Sequence, residues 1–362
     1  MKKSNIKKCL FSLILINTLF FFPVNLYAQP PEKKWDDNIS LSGDIRLRWE
    51  SITKNTGSDT ERERFRSRFG MATNLAENVK LIFRIESGID DPVSSNQTFG
   101  NGLDIGIGRA YADWEVNNNT RILGGKMKLP WFVAGGNSVL WDSDFNPEGV
   151  FASFQSNNNL FGNIGYTVVN RGSNADNVAL YSTQIGSKFN IGNSSTLTTG
   201  FGYFDYNNAI GRSPFYKSKG NNLDGEGNYL YGYTLVEFFA EYKTKISELP
   251  VTYHLEWIKN TAVNDEDNAY SIGVNLGSAS KQGGKQFSYA YHDTETDAVI
   301  GSFTDSDFAG GNTDSKGHIL KTKYSLRDNI TLGGVLVASK YGAFTDNEIK
   351  FNRLQLDLEF QF

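Results

Sequence analysis

The apolar and polar residues of the chain alternate with a period of two from Ile39 onward. In the stretch SGDIRLRWE (42–50), apolar side chains fall on one parity and charged side chains on the other. Successive side chains of a strand point to opposite faces, so this stretch predicts a strand with one apolar and one charged face. The stretches 65–75 and 79–86 repeat the pattern.

Segments of this kind recur along the whole chain, and short and long gaps separate them in turn. They centre near residues 45, 69, 83, 112, 124, 153, 166, 184, 201, 238, 255, 274, 289, 321, 334 and 356. Membrane barrels have short periplasmic turns and long external loops. The fold class predicted is therefore all-β, a transmembrane antiparallel β-barrel of about 16 strands. A count of about 14 or 18 would require merging or splitting the weaker segments near 153 and 334.

The first residues have the features of a secretory signal peptide. Basic residues precede an apolar run, Leu10–Phe22, which is too short to span a membrane comfortably, and cleavage after Ala28 is expected. The predicted organisation is a signal peptide at 1–28, a short polar lead-in at 29–38 and a barrel at 39–362. The single cysteine, Cys9, lies in the signal peptide. The mature chain is therefore expected to have no disulfide, thiolate metal site or thiol nucleophile.

The composition fits a barrel that is apolar outside and polar inside. Aromatic residues make up 14% of the chain and glycine accounts for 36 residues, yet the mean hydropathy is −0.41. The formal net charge is −4, and removal of the four lysines of the signal peptide takes it to −8. An acidic balance argues against a nucleic-acid-binding protein. No apolar run after the signal peptide is long enough for a spanning helix.

Arginines dominate the polar parity of the first four strands. They predict a positive stripe on one wall of a pore, formed by Arg46, Arg48, Arg62, Arg64, Arg66, Arg68, Arg84 and Arg109. The alternative is that these arginines are ordinary lumen charges paired with nearby acids such as Asp44, Glu50, Glu86, Asp113 and Glu115. Further lumen candidates are Lys126, Lys128, Arg353, Asp357 and Glu359. Because the arginines oppose the net charge, the sign of any ion selectivity stays open.

The third long gap, Leu129–Glu148, is unusually apolar for a loop and holds two tryptophans. An apolar loop should pack against something rather than lie in water. Folded into the barrel, it would present three acids, Asp142, Asp144 and Glu148, toward the arginines. The alternative is that it caps the mouth or packs on a neighbouring subunit.

The last segment alternates cleanly and ends on Phe362. A strand with a terminal phenylalanine resembles the signal that the barrel-assembly machinery recognises, although an edge strand of a soluble sandwich would alternate in the same way. Closing against the first strand would place Arg353, Asp357 and Glu359 beside Asp44 and the first arginines.

The stretches GRAYADWEVNNNTRILGGKMKLPWF (108–132) and LWDSDFNPEGVF (140–151) resemble the bacterial putative-porin family. With SGDIRLRWE and the terminal strand, the resemblance covers most of 39–362. It implies a homotrimeric, passively conducting channel in the bacterial outer membrane, with a constriction loop after the fifth strand. Its partners would be outer-membrane lipid and lipopolysaccharide and small hydrophilic solutes, with no cofactor.

Two other functions fit a barrel of this kind, namely a surface-binding adhesin and a barrel enzyme. An enzyme would need a histidine with a nucleophile or carboxylates in reach, and His254 beside Glu256, or His292 beside Asp293, are the candidates. No local motif accompanies them, so the chain is not expected to be an enzyme and no catalytic residues are assigned. The acidic stretches 264–268 and 293–297 lack the spacing of a calcium loop, so no metal site is predicted.

Overall fold

The computed structural model describes residues 38–88, 90–170, 177–344 and 347–362. The predicted signal peptide (1–28) and all but the last residue of the lead-in lie outside these residues. The strands are β1 (Ile39–Lys54), β2 (Thr60–Ala76), β3 (Val79–Ser87), β4 (Gln97–Thr98), β5 (Ile105–Asn117), β6 (Thr120–Lys126), β7 (Glu148–Gln155), β8 (Leu160–Asn170), β9 (Val178–Ile191), β10 (Ser195–Asn207), β11 (Tyr233–Ile246), β12 (Leu249–Asn260), β13 (Asn268–Ser278), β14 (Lys285–Thr294), β15 (Ser315–Arg327), β16 (Ile330–Tyr341) and β17 (Ile349–Gln361).

The strands close into a single antiparallel barrel. β1 pairs with β2 on one side and with β17 on the other, so the sheet has no free edge there. The two-residue β4 only extends the ladder beside β2, and the other sixteen strands form the barrel wall. Each of the sixteen predicted centres falls within one of these strands, which confirms the predicted fold class.

The two ends of the barrel differ in their connections. At the short-turn end the strands are joined by residues 77–78, 118–119, 156–159, 192–194, 247–248, 279–284 and 328–329. At the long-loop end the largest connections are 88–104, 127–147, 208–232 and 295–314. They are called here the β3–β5, β6–β7, β10–β11 and β14–β15 loops, and the functional site is built largely from them.

The two faces of the wall have opposite character, as the alternation predicts. Outward side chains such as Leu47 and Phe69 are each 42% exposed, whereas the inward Arg48 and Glu50 are 5% and 0% exposed. A barrel that turns its apolar side chains outward and its charges inward matches a hydrocarbon surround and a polar interior. In the described residues, no helix has both the length and the apolar character needed to cross a membrane.

The apolar core sits inside one side of the barrel. Inward residues of the middle strands, among them Phe204, Leu235 and Ile258, are fully buried. They are covered by apolar side chains of the β6–β7, β10–β11 and β14–β15 loops in one continuous cluster. The opposite side, from β17 through β1 to β5, carries the inward arginines and the carboxylates paired with them.

Candidate functional site

The inward face of β1, β2, β3 and β5 carries a wall of arginines. We call Arg46, Arg48, Arg62, Arg64, Arg66, Arg68, Arg84 and Arg109 the arginine wall. Adjacent inward positions meet across the ladder, with Arg46 opposite Arg66 and Arg84 opposite Arg109. Like charges at this spacing repel one another, so the wall requires carboxylates among its members.

Those carboxylates come first from the barrel wall itself. Arg48 Nε donates to Asp357 Oδ1 at 2.7 Å, and Arg66 Nε donates to Asp44 Oδ1 at 2.7 Å. Glu50 is wholly buried and pairs with Arg62 and Arg64. Arg84 pairs with Glu86 at 2.6 Å, and Arg66 also pairs with Glu359 at 2.9 Å. The predicted arginine stripe and its predicted pairing with Asp44, Glu50 and Glu86 are thus present together, whereas Asp113 and Glu115 pair with Arg121 of β6 instead.

The β17 candidates lie where closure against β1 predicts. Asp357 is opposite Arg48 in the ladder, and Glu359 is opposite Arg46. Arg353 is inward and 5% exposed. The last strand therefore completes the arginine wall.

The β6–β7 loop packs on the apolar side of the interior because its aromatic residues form one stack. The rings of Trp131 and Trp141 are parallel with centroids 4.4 Å apart, and Trp141 stacks on Phe145 at 5.5 Å. The edges of Phe151 and Phe204 from the wall meet the face of Trp131, each at 5.5 Å. Offset and edge-on aromatic contacts of this kind add to the gain from burial.

The tip of the β6–β7 loop, residues 134–139, binds inward side chains about halfway along β11, β12 and β13. The backbone N–H of Gly135 donates to Glu241 Oε2, and its carbonyl accepts from Asn275 Nδ2, both at 2.9 Å. Glu256 accepts from the Ser138 hydroxyl at 2.6 Å and from the Val139 N–H at 2.7 Å. Buried polar groups that lose their partners are costly, so these hydrogen bonds hold the loop tip in place. The sequence analysis did not single out Glu241 or Asn275, and it considered Glu256 only as a catalytic partner of His254.

A glycine at the tip allows this close approach. Gly135 has φ +62°, and a Cβ built there would lie 2.3 Å from Cδ2 of His254. Gly136 has φ +68° and nothing within 4 Å of such a Cβ. The loop tip therefore rests directly on the imidazole of His254 through Gly135.

Of the three predicted loop acids, only Asp144 meets the arginine wall. Its Oδ1 lies 2.5 Å from Arg68 Nη2. Burial raises the pKa of Asp144, but the charges of Arg68 and Arg66 outweigh burial and hold the pKa below its ordinary value. Asn146 of the same loop accepts from Arg109 Nε at 2.8 Å.

The carboxylate of Asp142 bonds to the β14–β15 loop rather than to an arginine, although Asp142 lines the same cavity as Arg46, Arg48 and Arg66. Its Oδ2 accepts the Ser306 N–H at 2.9 Å, and its own N–H donates to the Phe303 carbonyl at 2.8 Å. Burial, with Asp305 and Asp144 nearby, raises the pKa of Asp142 well above its ordinary range. The packing of Trp141 and Phe145 on Phe303 holds this part of the β6–β7 loop against the β14–β15 loop.

Glu148 and Lys126 do not pair with the arginine wall, although both line a cavity that Asp144 also lines. Both lie in the ladder between β6 and β7 and pair with each other at 3.2 Å. Lys126 is also opposite the exposed Ala110, which places both residues on the outward parity. The inward row of β6 instead includes Leu123, which packs against the apolar cluster. Lys128 lies beyond the end of β6 and is exposed.

The sequence analysis missed the β14–β15 loop, which supplies a second set of acids. Asp307 lies 3.1 Å from Arg48 and 2.8 Å from Arg353. Burial raises the pKa of Asp307, yet Arg48 and Arg353 lower it far more. The sequence did contain a signal for this packing, because the β14–β15 loop is long and apolar like the β6–β7 loop. Its large apolar residues are Val299, Ile300, Phe303 and Phe308.

The two histidines considered for catalysis are buried in the wall. His254 and His292 are 3% and 2% exposed. His254 lies under Gly135, and the ring of His292 packs on Phe308 with centroids 5.0 Å apart. No nucleophile hydrogen-bonds to either ring in the described residues. The described residues hold no group of three or more metal-ligating side chains placed to bind a metal ion.

Two cavities adjoin at Asp144. One, of about 280 Å³, lies between the arginine wall and the acids of the two loops, and Lys321 and Lys323 of β15 also line it. The other, of about 330 Å³, lies toward the long-loop end and is lined by Glu86, Asp91 and Asn146 among others. Asp144, the partner of Arg68, therefore lines both cavities.

Comparisons with known proteins agree with this architecture. The model of a family described as "Putative porin" matches residues 51–229 and 222–362. Among solved structures, the chain is similar to OprB of Pseudomonas putida at high pH, with a TM-score of 0.60 and 12% identity over 90% of this chain and 95% of that chain. A mutant porin of Rhodopseudomonas blastica gives a TM-score of 0.53 and 11% identity over 90% and 100% of the two chains. A loop-deletion variant of OmpT of Vibrio cholerae gives 0.51 and 12% over 90% and 99%. A comparison with curated proteins finds no match.

Proposed function

We propose, because this chain belongs to the putative porin family, that it admits small hydrophilic solutes through the barrel by passive diffusion. Its location is the bacterial outer membrane, and the family and the similar structures indicate a channel rather than an enzyme. The proposal adds that the β6–β7 loop narrows the pore and that the chain works as a homotrimer in contact with lipid and lipopolysaccharide. The strand ending on Phe362 would serve recognition by the barrel-assembly machinery.

The observation that carries the narrowing is the Arg68–Asp144 ion pair. Asp144 belongs to the β6–β7 loop and Arg68 to the arginine wall, so the pair joins the loop to the charged side of the barrel. On the other side, Glu241 and Glu256 hold the loop tip. A segment bound at both sides leaves a passage with positive charge on the wall and negative charge on the loop. Local charges at the narrowest point control which ions pass.

The test is ionic selectivity in a planar bilayer. Asp144→Asn removes one negative charge beside the passage, so the reversal potential in a salt gradient should shift toward anions and the conductance should change. Glu248→Gln is the matched control, because its side chain is 90% exposed in the short turn between β11 and β12, where it pairs with Lys245. We expect the control to behave as the unaltered protein.

Two outcomes would contradict the proposal. If Asp144→Asn and the unaltered protein have the same ion selectivity, the β6–β7 loop does not narrow the passage. A folded barrel that shows no conductance at all would instead favour an adhesin or an enzyme. Conductance steps that occur in groups of three would support the homotrimer.

A further inference from the structure

The β14–β15 loop runs across the interior beside the β6–β7 loop. Its Phe303 is 5% exposed and packs on Phe145 at 4.7 Å and on Tyr206 at 6.2 Å between centroids. Two hydrogen bonds to Asp142 tie the backbone of Phe303 and Ser306 to the β6–β7 loop. This part of the β14–β15 loop is therefore packed in the interior of the barrel, as the β6–β7 loop is.

Beyond Phe303 the chain reaches the charged side of the barrel. The Asp307 carboxylate bridges Arg48 and Arg353, and the Ser306 carbonyl accepts from Arg353 Nη1 at 3.0 Å. Arg48 and Arg353 are only 3% and 6% exposed at their side chains. Charged hydrogen bonds that are this well buried are strong and fix geometry.

The segment 305–307 also forms one side of the cavity along the arginine wall. The apolar cluster fills the interior beside the middle strands, so the passage is left to the side that carries Arg46, Arg48 and Arg66.

Resting on the proposed function, we propose that residues 305–307 form a second narrowing of the pore and that Asp307 positions them. Solutes then pass off the barrel axis, between the arginine wall and two loops. We expect the two narrowings together to exclude a disaccharide.

The first test labels a single cysteine in the second narrowing. Ser306 lines the cavity, and the only cysteine of the sequence is Cys9, so Ser306→Cys supplies one thiol in the barrel. Methanethiosulfonate reagents that carry either a sulfonate or a trimethylammonium group are applied during single-channel recording. We expect either reagent to lower the conductance by at least about half, because each adds bulk at a constriction.

Ser213→Cys is the matched control, because Ser213 is exposed in the β10–β11 loop. Each variant is compared with itself before and after labelling, and mass spectrometry establishes that both thiols have reacted. Unchanged conductance of fully labelled Ser306→Cys would overturn the second narrowing while leaving a conducting porin. A barrel that conducts in no form would instead overturn the proposed function.

The second test concerns the positioning role of Asp307. Asp307→Asn loses the charge that bridges Arg48 and Arg353, so we expect larger conductance and entry of a disaccharide in a liposome-swelling assay. Asp314→Asn, in the same loop but bonded to the backbone N–H of Phe344, is the control. If Asp307→Asn excludes the disaccharide as fully as Asp314→Asn does, Asp307 is not the positioning residue.

Discussion

The contact between Gly135 and His254 allows a sharp test of how the β6–β7 loop is held. Gly135→Ala and Gly136→Ala both place a side chain on a left-handed backbone, at φ +62° and +68°. That conformation costs about 1–2 kcal/mol for a residue with a Cβ, and both variants bear this cost. Only the Cβ of Gly135→Ala also meets the imidazole of His254, 2.3 Å from Cδ2.

The difference between the two variants therefore isolates one steric contact. Overpacking of a tightly packed site costs about 1–3 kcal/mol. With about 1.4 kcal/mol for each tenfold change, the ratio of bound to released loop tip should fall roughly 5- to 150-fold more in Gly135→Ala than in Gly136→Ala. Displacement of Gly135 also lengthens its hydrogen bonds to Glu241 and Asn275.

The assay is single-channel recording of both variants. Gly135→Ala should show a higher mean conductance with excess open-channel noise, and Gly136→Ala should stay close to the unaltered protein. Addition of His254→Ala to Gly135→Ala should restore the quiet trace, because the two changes are coupled through one contact. Identical traces for Gly135→Ala and Gly136→Ala would refute the docking of the tip on His254.

Further predictions concern pH and the lipid face. The pKa of Asp142 is raised well above its ordinary range by burial beside Asp305 and Asp144, so ionisation opposes the folded contact. The contact between the two loops should therefore be strongest at low pH and weaken as pH rises from the ordinary aspartate value through the raised one, with growing open-channel noise. Asp142→Asn should remove that dependence, and a flat pH profile in the unaltered protein would contradict the assignment. On the outer face, Leu356→Arg near the middle of β17 should destabilise the barrel by about 2–4 kcal/mol, and Leu41→Arg near the end of β1 by about 0–1 kcal/mol. Urea unfolding in lipid vesicles measures both, and equal losses would contradict the assigned depth.

The barrel was predictable because its wall separates two very different solvents. Where one face meets lipid and the other meets charge, as in β1 and β17, the alternation fixes both the strand and its orientation. The inference failed in β6, where Ile122 and Leu123 are both apolar and the lumen side is covered by the apolar cluster. Where both faces of a strand have apolar surroundings, the alternation does not show which face points inward. The sequence analysis therefore assigned Lys126 to the inward face, whereas the ladder places it on the outward parity.

Only the part of the site that lies on the strands could be predicted from the sequence. The arginines lie on regular strands, so their common face follows from their numbers. The orientation of the acidic side chains in the loops could not be predicted in this way, because it depends on packing between segments that are far apart in the sequence. Asp142 and Ser306 are bonded although they are 164 positions apart in the sequence, and Arg48 and Asp307 are 259 positions apart. Nothing local in either stretch encodes those partners.

The position of the passage follows from the apolar inward residues as much as from the arginines. Phe204, Leu235 and Ile258 would face water in an empty barrel, at a cost of about 25 cal/mol for each Å² exposed. The aromatic loop residues remove that cost by covering them, so the loops are part of the folded interior rather than lids upon it. Because the cover must lie on the apolar side, the proposed passage lies beside the arginine wall. The inner wall is divided into a part that carries the arginines, from β17 through β1 to β5, and an apolar part on the middle strands. This division accounts for both the charge pattern and the packing of the loops.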